Sequence, residues 1–254
     1  MRILVVGMGL IGGSICKSIK AATSHAVYGC DVQQAVLDDA IADGAIDGTG
    51  TMTDGTYDMI ILCLHQRIAI QMVQEALPKI PAGTILVDTC GLKGRMVRDL
   101  TYRCRKADVR YVGTHPMAGR EKNGYYASIP NLFQNANLIV TPVDGTDEAA
   151  LDTVKELADQ MGFGKIVTAT PMWHDNMIAY TSQLAHVVSS SYVKDFCMDD
   201  ALSFSGGSFQ DMTRVATMDE SMWAALFLDN RDNLLYHLDL LIENLTDYRD
   251  ALKQ

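Results

Sequence analysis

His115 stands where an apolar run, Val109 to Gly113, gives way to Thr114-His115-Pro116-Met117-Ala118-Gly119. An imidazole takes or gives a proton near neutral pH. The carboxyl end of a strand in an open sheet is where such folds bind ligands. That position favours a general base; a histidine satisfied by backbone is the competing reading. Arg214 closes the stretch Ser208-Phe209-Gln210-Asp211-Met212-Thr213-Arg214. Its planar fork suits a carboxylate held by two parallel bonds, but Asp211, three residues earlier, equally suits a surface ion pair on a helix. His186 shares a helical face with Ser182 and Ser189, a polar stripe that either lines a site or faces water. Trp173 and His174 are equally open, and Trp223 reads as core.

A second constellation binds rather than reacts. The apolar run Arg2-Ile3-Leu4-Val5-Val6 leads into Gly7-Met8-Gly9-Leu10-Ile11-Gly12 and then into a helical pattern over 13–19. Gly7 allows a tight turn, Gly9 lets a pyrophosphate approach the backbone, and Gly12 lets helix and strand pack closely. The helix N-terminus supplies free N–H groups and a favourable dipole. Another apolar run, residues 26–30, ends at Asp31, 31 − 12 = 19 residues past Gly12. A carboxylate at that spacing holds a ribose 2′-hydroxyl. It would repel a 2′-phosphate, and no arginine directly follows, so NAD is expected over NADP. Leu10 and Ile11 inside the loop, with Leu64 and His65 beyond a later strand, complete the candidate cofactor contacts.

The elements that must position these residues alternate. Residues 33–43, 68–77, 95–106 and 147–161 read as helices; residues 46–57, rich in Gly, Thr and Asp, read as a loop. Residues 59–64, 84–89, 109–113, 137–143 and 165–170 read as strands, several of them continuous apolar runs of the kind buried on both faces. The alternation predicts an α/β fold, a Rossmann-type doubly wound, mostly parallel sheet over residues 1–170. From Pro171 the strand pattern stops. Residues 172–197 and 220–252 lack Gly and Pro and repeat apolar side chains at helical spacing, with a break at Gly206-Gly207-Ser208. So much apolar helix surface on residues 171–254 is hard to bury alone. An all-α domain that pairs with its copy in a homodimer is expected; packing back on the first domain is the other solution.

Composition narrows the partners. Net charge is −10 with no lysine-rich segment, which argues against nucleic acid. No stretch nears the ~20 apolar residues that cross a bilayer. Six cysteines lie scattered, without zinc or redox spacing, so no metal is expected. The first apolar run passes straight into the glycine loop, so no leader is expected. A cytoplasmic protein with reduced thiols is the expectation.

Taken together, these residues resemble the prephenate dehydrogenase family over nearly the whole chain. The carrying stretches are Gly7 to Gly12, Asp88 to Lys93, Gly113 to Gly119 with Glu121 and Lys122, Trp173-His174-Asp175, Thr181 to His186, Gly206 to Arg214, and Met222-Trp223. The resemblance implies oxidative decarboxylation of prephenate to 4-hydroxyphenylpyruvate in tyrosine biosynthesis, with NAD. It implies that His115 takes the proton of the ring hydroxyl, that Arg214 grips a substrate carboxylate with His186 near, and that Glu121 and Asp211 form a charged gate. It places Gly207, Gly91 and Gln183 against substrate. Two positions depart from the family pattern: Gly91 stands where members often carry a serine, a place Cys90 or a water would take, and Gln183 replaces a second histidine. Arogenate is therefore the alternative substrate. An imine or pyrroline reductase, which joins similar domains, is a more distant one. No regulatory domain is expected after residue 254, so any feedback control would act at the active site or the dimer.

Overall fold

The computed structural model describes residues 1–55, 57–120 and 122–254, without the side chains of Asp199 and Leu202. It divides into two compact units, Met1–Pro171 and Met172–Gln254. The first is built on one eight-stranded sheet. Its strands are β1 (Arg2–Val6), β2 (Ala26–Cys30), β3 (Gly48–Thr49), β4 (Met59–Leu62), β5 (Ile85–Asp88), β6 (Arg110–Pro116), β7 (Asn137–Val140) and β8 (Lys165–Thr168). The order is β3-β2-β1-β4-β5-β6-β7-β8. The winding reverses beside β1, between β2 and β4, and the crevice for a ligand opens at such a switch point.

Side chains alternate across each strand, and both faces are covered. Ile3, Val5, Ile61 and Val87 meet α1 (Leu10–Ala22), α2 (Gln34–Ala42) and α5 (Glu148–Gln160). Leu4, Val6, Ile60, Leu62 and Leu86 meet α3 (Gln66–Ala76) and α4 (Gly94–Lys106) on the other face. This is why the central strands are apolar throughout rather than alternating.

Two details of the sheet go beyond what the sequence specifies. Within the span expected as loop, Gly48 and Thr49 add a two-residue edge strand to Tyr28 and Gly29; it pairs through backbone alone, so no apolar pattern announces it. The other is direction. Strands β1 to β6 run parallel, but β7 is antiparallel to β6, with Thr114, His115 and Pro116 opposite Val140, Ile139 and Leu138. Residues 117–136 make no crossover: Met117 N–H donates to Asn137 O at 2.8 Å, so the chain re-enters beside the point where it left. Pairing with β7 also carries β6 on to Pro116, past the expected end at Gly113, and so places His115 in a strand rather than a loop.

The second unit is helical. It contains α6 (Pro171–Ile178), a π-helical turn (Ala179–Gln183), α7 (Leu184–Tyr192), α8 (Met198–Phe204), α9 (Gly207–Thr213), α10 (Glu220–Asp229) and α11 (Arg231–Ala251). The uninterrupted patterns over 172–197 and 220–252 are thus each divided. Buried polar side chains cause both divisions. Gln183, in the π turn, donates to Leu226 O at 3.0 Å, while Asn230 donates to Gln183 Oε1 and to Asp175 O, each at 2.8 Å. Asn230 leaves helical geometry to make these bonds (φ −121°, ψ 25°) and separates α10 from α11. An insertion of this kind is a common origin of π turns and kinks.

Candidate active site

The glycine loop folds as its spacing requires. Gly7 has φ +93°, and a Cβ there would lie 2.4 Å from Cys63 O; one on Gly12 would lie 1.9 Å from Gly7 O. Any side chain at either position would push β1, α1 and the end of β4 apart. Gly9 is different: a Cβ there meets nothing within 4 Å, so the space beyond its backbone is open. Gly9 is also the N-cap of α1 and brings no side chain to the first-turn N–H groups of Leu10 and Ile11. By contrast, Asp147 caps α5 through Ala150 N–H at 2.7 Å. An open cradle at an uncapped helix start fits a pyrophosphate.

Asp31 lies just past β2. One carboxylate oxygen accepts Met8 N–H at 2.7 Å and the other accepts Gln33 N–H at 2.9 Å. These bonds fix the carboxylate against the glycine loop and leave lone pairs for ribose hydroxyls. The residue after it, Val32, is 99% exposed, and it offers no cation to a 2′-phosphate. Leu64 is half-buried and His65 is the exposed N-cap of α3. Both follow β4, whose carboxyl end adjoins that of β1. NAD would therefore be held by the N–H groups at the start of α1, by Asp31, and along Leu64 and His65.

His115 is half-buried on β6. The loop after β5 comes close to it: a Cβ built on Gly91 would lie 4.0 Å from His115 Nε2. A serine at 91 would thus bring its hydroxyl toward the imidazole, and the glycine leaves that space open. Cys90 does not fill it, because its thiol donates to Leu64 O at 3.4 Å and burial pushes its pKa well above the ordinary thiol value. Gln66 Nε2 ties the same two loops together by donating to Leu92 O at 3.3 Å.

Behind this loop is a cluster that residue-by-residue reading misses. Asp88 and Lys93 are both fully buried and form an ion pair. Asp88 also accepts Cys90 N–H at 2.9 Å and Tyr111 O–H at 2.7 Å, and Lys93 Nζ donates to Thr114 O at 2.5 Å. Burial and the Asp88 charge together hold the Tyr111 phenol well above its usual pKa. Charges buried this deeply persist only when every lone pair and proton is matched. The available signal was an acid and a lysine five residues apart, bracketing the turn from an apolar strand into a helix.

In the helical unit, Arg214 is exposed at the C-cap of α9, with Asp211 one turn before it and Gly207 at the start of the helix, both also exposed. Ser189 Oγ donates to Met212 O at 2.7 Å, which fastens the end of α9 carrying Arg214 to α7, which carries His186. The polar stripe on α7 is therefore not simply solvated. His186 Nδ1 donates to Ser182 O at 3.0 Å. A carbonyl only accepts, so Nδ1 carries a proton in this contact. Trp223, expected as core, is half-buried and stacks on the His186 ring with centroids 3.7 Å apart. His174 is buried against Asp175, Nδ1 to Oδ1 2.7 Å. Gln183 is 1% exposed, with its amide engaged between helices. Glu121 lies outside the described residues. Among the described residues no group of His, Cys, Asp and Glu forms a metal site.

Comparison with known proteins places this geometry. The family model "Prephenate dehydrogenase, nucleotide-binding domain" matches residues 15–168, and "Prephenate dehydrogenase, dimerization domain" matches residues 170–254. A cyclohexadienyl dehydrogenase of Zymomonas mobilis is 31% identical over 99% of this chain and 88% of its own length. Prephenate dehydrogenase from A. aeolicus, solved with hydroxyphenyl propionate and NAD+, superposes with a TM-score of 0.86 at 28% identity, covering 99% of this chain and 91% of the other. Synechocystis arogenate dehydrogenase gives 0.84 at 25% identity, with 100% and 92% covered. With its glycine cradle, its strand-borne histidine and both family domains in order, this chain belongs to the prephenate dehydrogenase family of NAD-dependent oxidoreductases.

Proposed function

We propose that this chain converts prephenate to 4-hydroxyphenylpyruvate by oxidative decarboxylation, with His115 as general base. The observation that carries the residue assignment is the place of His115. It sits on β6, in the same row of parallel strand ends as the glycine cradle, with its Nε2 toward the open space at Gly91. NAD, when bound, supplies the hydride acceptor. His115 accepts the proton of the ring C4 hydroxyl, C4 gives up its hydride to that acceptor, the ring carboxylate departs as CO₂ as the ring becomes aromatic, and the proton returns to the oxygen to give the phenol. Aromatisation provides the driving force, so the protein has to orient the groups and remove one proton.

Arg214 holds a substrate carboxylate, and His186, fixed by Ser182 and Trp223, presents Nε2 beside it. Gly207 and Gly91 stand against the substrate; a Cβ would meet nothing within 4 Å at the first and only His115 Nε2, at 4.0 Å, at the second. Gln183, buried among helices, acts on the substrate only by holding α7 and α10 in place. Asp211, one helical turn before Arg214, supplies one charge of the gate. In this reading residues 1–170 hold the cofactor, and residues 171–254 bind substrate and form a homodimer. Support for the dimer is the description of the family's second domain and the bare apolar surface of the helices. No helix among the described residues is long and apolar enough to cross a membrane.

Arogenate is the second reading, favoured by the similarity to the Synechocystis enzyme and by Gly91. Initial rates with each acid and each nicotinamide decide. Prephenate with NAD should give the highest kcat/KM. Higher kcat/KM on arogenate would transfer the assignment, and absence of NADH with both acids would reject it.

A further inference from the structure

The Asp88–Lys93 pair has no place in the proposed chemistry, yet its bonds converge on the residue that does the chemistry. Lys93 is the N-cap of α4 and its ammonium is wholly buried. One of its bonds closes the turn after β5 onto Asp88, and another reaches sideways to Thr114 O. That carbonyl belongs to the peptide joining Thr114 to His115. Thr114 is held again from its side chain, whose hydroxyl donates to Asp88 O at 2.6 Å. Regular pairing of β5 with β6 stops at Asp88 and Gly113, so Lys93 and the Thr114 hydroxyl extend the strand contact by one residue. The turn that Lys93 closes is also the one that carries Gly91 toward the imidazole.

We infer that Lys93 is a positioning residue for His115: its buried ammonium, neutralised by Asp88, fixes the Thr114–His115 peptide and the Gly91 turn, and so sets where Nε2 stands relative to the substrate hydroxyl. It touches neither substrate nor cofactor. A buried ammonium suits this task because its three protons point in fixed directions and its carboxylate partner is itself locked by Tyr111 and Cys90. An apolar residue would fill the volume without holding the carbonyl. The inference rests on His115 being the base.

The test is a double-mutant cycle on the full-length enzyme. Lys93→Met leaves a buried carboxylate unpaired, so it is paired with Asp88→Asn to keep the cluster neutral. Asp88→Asn/Lys93→Met should retain NAD affinity, read by fluorescence titration, and lose kcat by about 10- to 100-fold, the cost of misplacing a reacting group by up to an ångström. In a His115→Asn background the same pair of changes should have little further effect on kcat, because its target is gone. Leu100→Ala, which weakens α4 from its buried side, controls for loss of stability and should leave kcat within about two-fold. Wild-type kcat in the double variant would overturn the inference, as would a full additional loss in the His115→Asn background. An equal loss in Leu100→Ala, or failure of every Lys93 variant to fold, would make Lys93 structural and also overturn it. A wild-type enzyme inert on both acids would instead reject the proposed function, so the two failures are distinguishable.

Discussion

The two units of this chain bury their apolar residues very differently. In Met1–Pro171 every central strand is sealed on both faces, and Ile3, Leu4, Ile19, Leu86 and Phe133 have no exposure. In Met172–Gln254 the buried apolar cluster is Ala179, Leu184 and Leu234, with Val187, Val188, Phe227, Leu238 and Leu241 partly covered around it. The stripe along α11 shows the contrast within one helix. Leu234, Leu238 and Leu241 pack into the cluster, whereas Leu245, Tyr248 and Leu252 are 58%, 74% and 88% exposed. A periodic apolar stripe that outruns the core of its own unit marks surface meant for another chain. The first unit covers its own apolar strands; in the homodimer proposed above, a second copy covers the bare stripe of the second.

The largest effect expected bears on the first unit's chemistry. His115→Asn should lower kcat by roughly 10²–10⁴ with NAD affinity unchanged, the usual contribution of a positioned base. A variant as active as wild type would remove His115 from the reaction. Next comes the contrast in packing itself. Leu86→Ala, in the sealed sheet, should cost about 2–5 kcal/mol in denaturant unfolding, whereas Leu252→Ala on the bare end of α11 should stay within about 0.5 kcal/mol. Similar losses would erase the distinction between the units.

Arg214→Ala should weaken prephenate by about 1.5–3 kcal/mol, the range for a hydrogen bond to a charged group, seen as a raised KM. An unchanged KM would return Arg214 to the surface-pair reading. Leu245→Glu sharpens the comparison from the helical side. Placing a charge on the uncovered stripe should weaken self-association by about 1–3 kcal/mol, the scale of one buried leucine and more. Sedimentation velocity would then show monomer appearing at concentrations where wild type is dimeric. An unaltered mass distribution would place the interface elsewhere.

What the sequence disclosed follows the same division. The glycine cradle and Asp31 were legible because each position answers to a backbone demand that only one or two residue types meet. The central strands were legible because burial on both faces writes an apolar run. Strand direction was not: an antiparallel β7 has the same composition as a parallel one, and only the return of the chain at Met117 and Asn137 sets it. In the helical unit, periodicity found the helices but not their ends. Those ends depend on where Gln183 and Asn230 find partners, 43 to 55 residues away, which no local window contains. The Asp88–Lys93 cluster escaped for the same reason, since its meaning lies in Thr114 and Tyr111 on the next strand. Trp223 looked like core because a stacked tryptophan and a buried one have the same helical spacing.

The proposed chemistry is one reaction at one histidine, and the most direct test counts its products. With prephenate labelled at the ring carboxyl, wild-type enzyme and NAD should release one CO₂ for each NADH formed, and His115→Asn should lose both together. NADH without labelled CO₂, or full release of both by the variant, would contradict it.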